Sequence, residues 1–122
     1  MAVILVVEDD PDVAQLLQHT LVAGGHDVAV AVDGGAGLRS ARERHPDLIV
    51  LDWMMPVKNG LEVCAELRAN ADFADTTIVM LSARSDAADI ARARAAGADE
   101  YLTKPFRPRE LRARIDALVV SQ

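Results

Sequence analysis

Short apolar runs alternate with stretches of helical spacing along the whole chain. The runs are mostly Val, Leu, Ile and Ala, and they occupy residues 3–7, 28–32, 48–51, 77–81 and 101–102. Continuous β-branched runs are typical of strands buried on both faces of a parallel sheet. Apolar residues at helical spacing predict helices over about 10–24, 35–44, 59–69, 86–96 and 108–120. This alternation predicts an α/β fold with right-handed crossovers and helices on both faces of the sheet.

Capping residues mark where most of these helices begin or end. Asp10 followed by Pro11 forms an N-cap and first-turn pair, and Asn59 is suited to cap the third helix. Gly97 follows the fourth helix and is expected to terminate it. The second helix has the weakest signal, because three glycines lie at its start.

Polar side chains lie at the ends of the predicted strands. Glu8 and Asp9 follow the first strand, and Asp52 directly follows the third. Ser82 follows the fourth strand, and Lys104 comes shortly after the fifth. The carboxyl ends of parallel strands meet at one edge of the sheet, where α/β proteins place their chemistry. We therefore expect these five side chains to converge.

Three carboxylates brought this close together need either a cation or a proton. Two like charges 4 Å apart cost about 4 kcal/mol at an effective dielectric constant near 20. Mg²⁺ prefers oxygen ligands, keeps several waters and binds phosphate oxygens. The sequence therefore predicts a magnesium-dependent phosphoryl-transfer site with Asp52 as the nucleophile. Lys104 would add a second positive charge, and the Ser82 hydroxyl would donate to a phosphoryl oxygen.

The composition restricts the class of protein. Hydrophobic residues make up 51% of the chain and aromatic residues 3%, so the core must be aliphatic. One cysteine excludes an internal disulfide and fits a reducing compartment. No apolar run approaches the ~20 residues of a membrane span and no leader is visible, so we expect a soluble, cytoplasmic protein without membrane contact. The formal net charge of −6 argues against direct nucleic-acid binding, which needs a basic face.

Four sequence blocks resemble the receiver domain of two-component response regulators. They read VVEDD from Val6, LDWMMPVKNG from Leu51, MLSA from Met80 and YLTKPF from Tyr101, in the order and at the separations of that family. The resemblance covers essentially the whole chain and implies a single receiver domain over residues 1–122. It also implies a flavodoxin-like (CheY-like) (βα)5 fold, a doubly wound five-stranded parallel sheet with strand order 2-1-3-4-5.

The resemblance implies that the chain is a phosphorylatable signalling switch. Asp52 would accept a phosphoryl group from a histidine kinase or a phosphotransfer protein. The reaction would need Mg²⁺, with Mn²⁺ as an alternative metal. The implied metal ligands are the carboxylates of Glu8, Asp9 and Asp52 and the backbone carbonyl of Met54.

The resemblance also implies how the signal would leave the site. Ser82 and Lys104 would sense the phosphoryl group, and the Lys104–Pro105 peptide bond would be cis. Movement of Ser82 would let Tyr101 turn inward and would reshape the face formed by the fourth helix, the fifth strand and the last helix. The chain would catalyse only its own phosphorylation and dephosphorylation and would otherwise not be an enzyme.

Three alternatives compete with this interpretation. A haloacid-dehalogenase-type phosphatase has its nucleophile after the first strand in a D-x-D-x-[TV] pattern, whereas the first strand here ends in EDDPD. A pseudo-receiver would act as a binding module without phosphorylation, but the set of acids, hydroxyl and lysine is intact. The chain could also be the amino-terminal receiver of a DNA-binding transcription factor, which the YLTKPFRPREL block slightly favours over a stand-alone regulator.

Some positions depart from the family pattern or have weaker signals. Transcription factors of this family often dimerise through the fourth helix, fifth strand and last helix, and Glu100, Glu110 and Arg114 are similar to their charged set. Ile90 stands where that branch usually has a basic residue, which weakens the prediction of a homodimer. Met54 cannot position an attacking water, so we expect slow loss of phosphate.

Two further predictions concern exposure. Trp53 directly follows Asp52 and is expected to lie partly exposed above the site. The three histidines show no metal-ligand spacing and are expected on the surface; they are His19, His26 and His45.

Overall fold

The computed structural model describes residues 1–120, which form a parallel sheet with helices on both faces. The strands are β1 (Val3–Val7), β2 (Asp27–Ala31), β3 (Leu48–Asp52), β4 (Thr77–Ser82) and β5 (Glu100–Thr103). The helices are α1 (Pro11–Ala23), α2 (Gly34–Arg44), α3 (Gly60–Arg68), α4 (Ala87–Ala96) and α5 (Pro108–Val120). A short 3₁₀ helix, Ala71–Phe73, precedes β4. The strands pair in the order β2-β1-β3-β4-β5, all in parallel, which confirms the predicted fold class and strand order.

The core has two apolar layers, one on each face of the sheet. Helices α1 and α5 cover one face with the buried side chains of Leu17, Leu21, Leu111 and Ile115. Helices α2, α3 and α4 cover the other face with Leu38, Val63, Leu67 and Ala93. Every residue of β3 is buried, as expected for the central strand of a sheet that is covered on both faces. Across residues 1–120, no helix has both the length and the apolar character needed to cross a membrane.

The glycine-rich start of α2 is explained by close packing. The Asp33 side chain caps the helix by accepting a hydrogen bond from the Ala36 N–H at 2.8 Å. A Cβ atom at Gly37 would lie 2.8 Å from a methyl carbon of Val7 in β1. The residue that weakens the helix signal in the sequence therefore lets α2 lie close against the sheet.

His26 does not lie freely on the surface, so that prediction is wrong. Its side chain is only 7% exposed. Its Nδ1 accepts a hydrogen bond from the Ala2 N–H at 3.2 Å, and its Nε2 lies 3.2 Å from Asp116 Oδ1. The ring thus connects the segment before β2 to α5. The sequence could not reveal this contact, because Asp116 lies 90 positions further along the chain.

Val57 has an unusual backbone conformation in the loop between β3 and α3. Its φ is 69°, its side chain is 97% exposed, and the Lys58 N–H donates to the Pro56 carbonyl oxygen across it at 2.8 Å. A β-branched residue at positive φ is strained by about 1–3 kcal/mol. The strained residue therefore lies in the loop that follows β3, the strand that ends in Asp52.

Val57→Gly is expected to raise the free energy of unfolding by about 1 kcal/mol, because relief of strain exceeds the added entropy of the unfolded glycine. Urea unfolding measures this change. Val32→Gly is the matched control, since Val32 is also an exposed loop valine, at 63%, but has no positive φ. The control should be destabilised, and a Val57→Gly protein destabilised as much as the control would contradict the assignment of strain.

Candidate functional site

The candidate site lies at the edge of the sheet where the strands end. Glu8 and Asp9 directly follow β1, and Asp52 is the last residue of β3. Ser82 is the last residue of β4, and Lys104 directly follows β5. Parallel pairing of β1, β3, β4 and β5 places these ends side by side. The register of the sheet therefore generates the site.

Three carboxylates meet at the centre of this edge. Glu8, Asp9 and Asp52 each offer an oxygen within 4.8 Å of the oxygens of the other two. Glu8 is 1% exposed and Asp52 is 3% exposed, whereas Asp9 is open to solvent. Among the described residues, Glu8 Oε2 is the buried side-chain polar atom that has no hydrogen-bond partner. Such an atom is costly unless something outside the chain binds it.

Lys104 supplies the positive charge that faces these acids. Its Nζ lies 2.9 Å from Glu8 Oε1 and 3.1 Å from Asp52 Oδ1. Its backbone N–H donates to the Ser82 carbonyl oxygen at 2.8 Å, and the Lys104–Pro105 peptide bond is cis. The backbone hydrogen bond to Ser82 anchors Lys104 beside the end of β4, and its side chain spans two buried carboxylates.

The protonation of the site reflects burial and close charges. Burial is the largest cause and the neighbouring Asp52 carboxylate the next, and together they raise the pKa of Glu8 to about 8 against the opposing effect of Lys104. Burial lowers the pKa of Lys104, but the hydrogen bonds and charges of Glu8 and Asp52 outweigh it, so the net shift is upward. A divalent cation beside Glu8 would favour its charged form, so cation and proton compete for this carboxylate.

These donors fit Mg²⁺. Carboxylate oxygens on two neighbouring strand ends, one of them buried and unpartnered, provide the oxygen ligands that this cation prefers. The exposed position of Asp9 leaves room for the waters that Mg²⁺ retains. Met54 lies in the loop that leaves β3, two residues after Asp52, and its side chain is 56% exposed.

Ser82 and Tyr101 are both connected to the backbone of Arg84. Ser82 is 1% exposed, and its Oγ accepts a hydrogen bond from the Arg84 N–H at 3.0 Å. Tyr101 points inward, is 6% exposed, and donates from its hydroxyl to the Arg84 carbonyl oxygen at 2.6 Å. Arg84 therefore links the predicted sensor residue to the predicted switch residue.

Trp53 is buried rather than partly exposed, so that prediction is wrong. It is 3% exposed, and its indole meets the Tyr101 ring edge to face at a centroid distance of 6.3 Å and an interplanar angle of 86°. The guanidinium carbons of Arg84 and Arg92 lie 5.4 and 5.6 Å from the ring centroid. The long side chains of the β4–α4 loop and of α4 cover the indole.

Sequence reasoning missed Asp89, whose carboxylate contacts both of these arginines. Its side chain is 12% exposed, with Oδ2 3.5 Å from Arg84 Nη1 and Oδ1 3.6 Å from Arg92 Nη1. In the sequence, Asp89 resembles any acid in the first turn of a helix, where negative charge is favourable. The i,i+3 spacing to Arg92 was the signal available for one of the two contacts.

Charged residues also line the face formed by α4, β5 and α5. The Glu100 carboxylate lies 3.1 Å from Arg114 Nη1 and 3.6 Å from Arg94 Nη2. Ile90 on α4 is half-buried and packs against the core layer beneath α2, α3 and α4. Two of the residues that resemble a dimer's charged set, Glu100 and Arg114, thus contact each other within the chain.

Comparison with known proteins assigns this architecture to a family. The model of the response regulator receiver domain matches residues 4–116. The DNA-binding response regulator MtrA of Mycolicibacterium smegmatis is 46% identical over 114 residues, which are 93% of this chain and 49% of that protein. The chain therefore spans about half the length of the curated relatives it matches.

Solved structures agree with this assignment. The chemotaxis response regulator CheY4 of Vibrio cholerae has a TM-score of 0.92 at 32% identity, with 96% of this chain and 98% of that chain covered. The receiver domain of the sensor histidine kinase PA1611 from Pseudomonas aeruginosa has a TM-score of 0.87 at 31% identity, with 95% of each chain covered. That structure has a magnesium ion coordinated in its active site cleft.

Proposed function

The chain belongs to the response regulator receiver domain family, and from this premise we propose that Asp52 accepts a phosphoryl group in a Mg²⁺-dependent reaction. The donor is a phosphohistidine of a histidine kinase or of a phosphotransfer protein. The observation that carries the proposal is the buried Asp52 carboxylate at the end of β3, held 3.1 Å from Lys104 Nζ beside Glu8 and Asp9.

The arrangement supports an in-line transfer onto Asp52. An Asp52 carboxylate oxygen attacks phosphorus, and the bond from phosphorus to the donor imidazole breaks. Glu8, Asp9, Asp52 and the Met54 carbonyl would hold Mg²⁺, which would neutralise charge on the phosphoryl oxygens. Lys104 contributes a second positive charge, because its Nζ donates a hydrogen bond to Asp52 Oδ1.

The product would be read by residues already beside the site. The Ser82 side chain can turn so that its hydroxyl donates to a phosphoryl oxygen. Its Oγ then no longer accepts the hydrogen bond from the Arg84 N–H. The acyl phosphate carries about −1.5 to −2 charges in place of the single charge of the carboxylate, which favours Ser82 and Lys104 as partners. The chain acts as a switch, and the only chemistry it promotes is its own phosphorylation and dephosphorylation.

Incubation with acetyl phosphate and Mg²⁺ is expected to add the mass of one phosphoryl group, measured on the intact protein. Asp52→Asn should gain no mass, and EDTA should prevent the gain in the wild type. Asp27→Asn is the matched control, because Asp27 is an exposed aspartate at the other end of the sheet, and it should be phosphorylated normally. A wild type without the mass gain would contradict the proposal and favour a pseudo-receiver.

The same experiment tests how long the phosphate persists. Met54 has no group that could position an attacking water, so we infer slow hydrolysis of the acyl phosphate. Removal of the donor followed by timed mass measurements gives the rate. Loss of phosphate within seconds at room temperature would contradict this inference.

The curated relatives suggest a second candidate function. MtrA is a DNA-binding regulator of about twice this length, so the chain is proposed to be the receiver part of such a regulator. This domain itself is not proposed to bind nucleic acid, given its net charge of −6. A homodimer through α4, β5 and α5 would have to exchange the internal Glu100–Arg114 contact for one between subunits.

A further inference from the structure

Arg84 contacts both ends of the proposed switch through its backbone and a different set of residues through its side chain. Its N–H donates to Ser82 Oγ at 3.0 Å, and its carbonyl accepts from the Tyr101 hydroxyl at 2.6 Å. Its guanidinium group lies over Trp53 and 3.5 Å from Asp89 Oδ2. The position of this one residue therefore affects both Ser82 and Tyr101.

Asp89 fixes the side chain of Arg84. Its carboxylate is 12% exposed and contacts two guanidinium groups, those of Arg84 and Arg92, one at each oxygen. Both guanidinium groups lie within 6 Å of the Trp53 ring centroid, which is the range of cation–π attraction. The carboxylate is largely buried, whereas the two guanidinium groups are 46% and 62% exposed, so solvent screens the pairs from the arginine side only.

The tyrosine and the tryptophan belong to the same cluster. Tyr101 meets Trp53 edge to face, and its hydroxyl is bonded to the residue that Asp89 holds. Each of these contacts is made between groups of the chain itself. The cluster connects the first turn of α4 to the residue that follows the phosphoacceptor.

We propose that Asp89 is a positioning residue for the switch. Its carboxylate holds Arg84 and Arg92 against Trp53, and through the Arg84 backbone it keeps Tyr101 in its inward position. The residues that Asp89 positions are those of the proposed phosphorylation switch, so the relevance of the cluster to signalling rests on the proposed function. The structural part of the proposal does not, because it can be tested without any phosphodonor.

The single tyrosine and single tryptophan of the chain make the test specific. Tyr101 is labelled as 3-fluorotyrosine for fluorine NMR, and quenching of Trp53 fluorescence by acrylamide is measured in the same protein without phosphodonor. In Asp89→Asn, the quenching constant is expected to rise about two- to five-fold. This factor is the change in the population of open conformations that corresponds to the loss of one partly exposed cation–π contact. The fluorotyrosine resonance is expected to move toward the value of the solvent-exposed amino acid.

Asp86→Asn is the matched control. Asp86 lies one turn earlier and caps α4 through its bond to the Asp89 N–H, which an asparagine oxygen can also accept. This substitution removes the same charge from the same end of α4 and should leave both signals at the wild-type values. Equal signals in Asp89→Asn and Asp86→Asn would overturn the proposal.

A second variant keeps the proposal testable if Asp89→Asn does not fold. Arg92→Gln removes one guanidinium group from Trp53, and its side chain is 62% exposed, so the fold should tolerate the change. It is expected to raise the quenching constant, whereas Arg109→Gln on the exposed start of α5 should not. Unchanged quenching in Arg92→Gln would overturn the proposal. A wild type that takes no phosphoryl group would contradict the proposed function but would leave these comparisons intact.

Discussion

Lys104→Met is expected to lower the free energy of unfolding of the metal-free protein by about 2–4 kcal/mol. Lys104 Nζ is the cation that faces both Glu8 and Asp52, which are 1% and 3% exposed. Its removal leaves two carboxylates facing each other in a buried site. Because the pKa of Glu8 is raised to about 8, Glu8 already holds a proton through most of the neutral range, so the full cost is expected above about pH 8 and a smaller one at neutral pH.

Mg²⁺ is expected to recover much of this loss, since a bound cation replaces the missing charge. A ligand present at about a hundred times its dissociation constant stabilises a protein by about 2.7 kcal/mol. Urea unfolding in EDTA and in excess Mg²⁺ measures both effects. Asp52→Asn should change stability in the opposite direction in EDTA, because it relieves repulsion with Glu8.

Lys58→Met is the control for Lys104→Met. Lys58 also makes a close ion pair, 2.7 Å to Glu66 Oε1, but the two side chains are 31% and 45% exposed. Its loss should cost less than about 1 kcal/mol and should not depend on Mg²⁺. If Lys104→Met behaved like Lys58→Met, the buried charge cluster would not have the electrostatic importance that its geometry indicates.

The sequence predicted the central part of the fold because that part depends on local patterns. The run from Leu48 to Leu51 is apolar on both faces, so it could be identified as an inner strand of a parallel sheet. Once the strands are parallel, residues at their carboxyl ends must share an edge, and the structure places Glu8, Asp9 and Asp52 together there. The convergence of these acids therefore follows from topology.

The contacts that the sequence did not reveal join residues far apart in the chain. Trp53 is buried because Arg84, Arg92 and Tyr101 surround it, and they come from α4, the loop before it and β5. An amphipathic pattern shows which face of a helix is apolar, but not which distant ring a surface arginine will cover. Asp89 was missed for a different reason: both partners are near it in the chain, but Arg84 lies before α4 begins, so helical spacing does not indicate that contact.

Gly60 joins β3, the strand that ends in Asp52, to α3 through a backbone contact that leaves no room for a side chain. It is the first residue of α3, and its N–H donates to the Trp53 carbonyl oxygen at 2.9 Å. A Cβ atom at this position would collide with the Asp52 carbonyl oxygen and lie 2.8 Å from the Trp53 Cα. These neighbours are backbone atoms, so they cannot move aside by changing a rotamer.

Gly60→Ala is therefore expected to lower the free energy of unfolding by about 3 kcal/mol and to slow phosphorylation by acetyl phosphate, because relief of the collision shifts Asp52 itself. Urea unfolding and the rate of mass gain measure the two effects. Gly35→Ala is the control, since its Cβ would have only ordinary contacts, the nearest at 3.4 Å from Asp33 Oδ1. Gly35→Ala should be neutral or stabilising by up to about 1 kcal/mol, as alanine favours a helix. If Gly60→Ala were as stable and as quickly phosphorylated as this control, the close approach of α3 to Asp52 would not constrain the site.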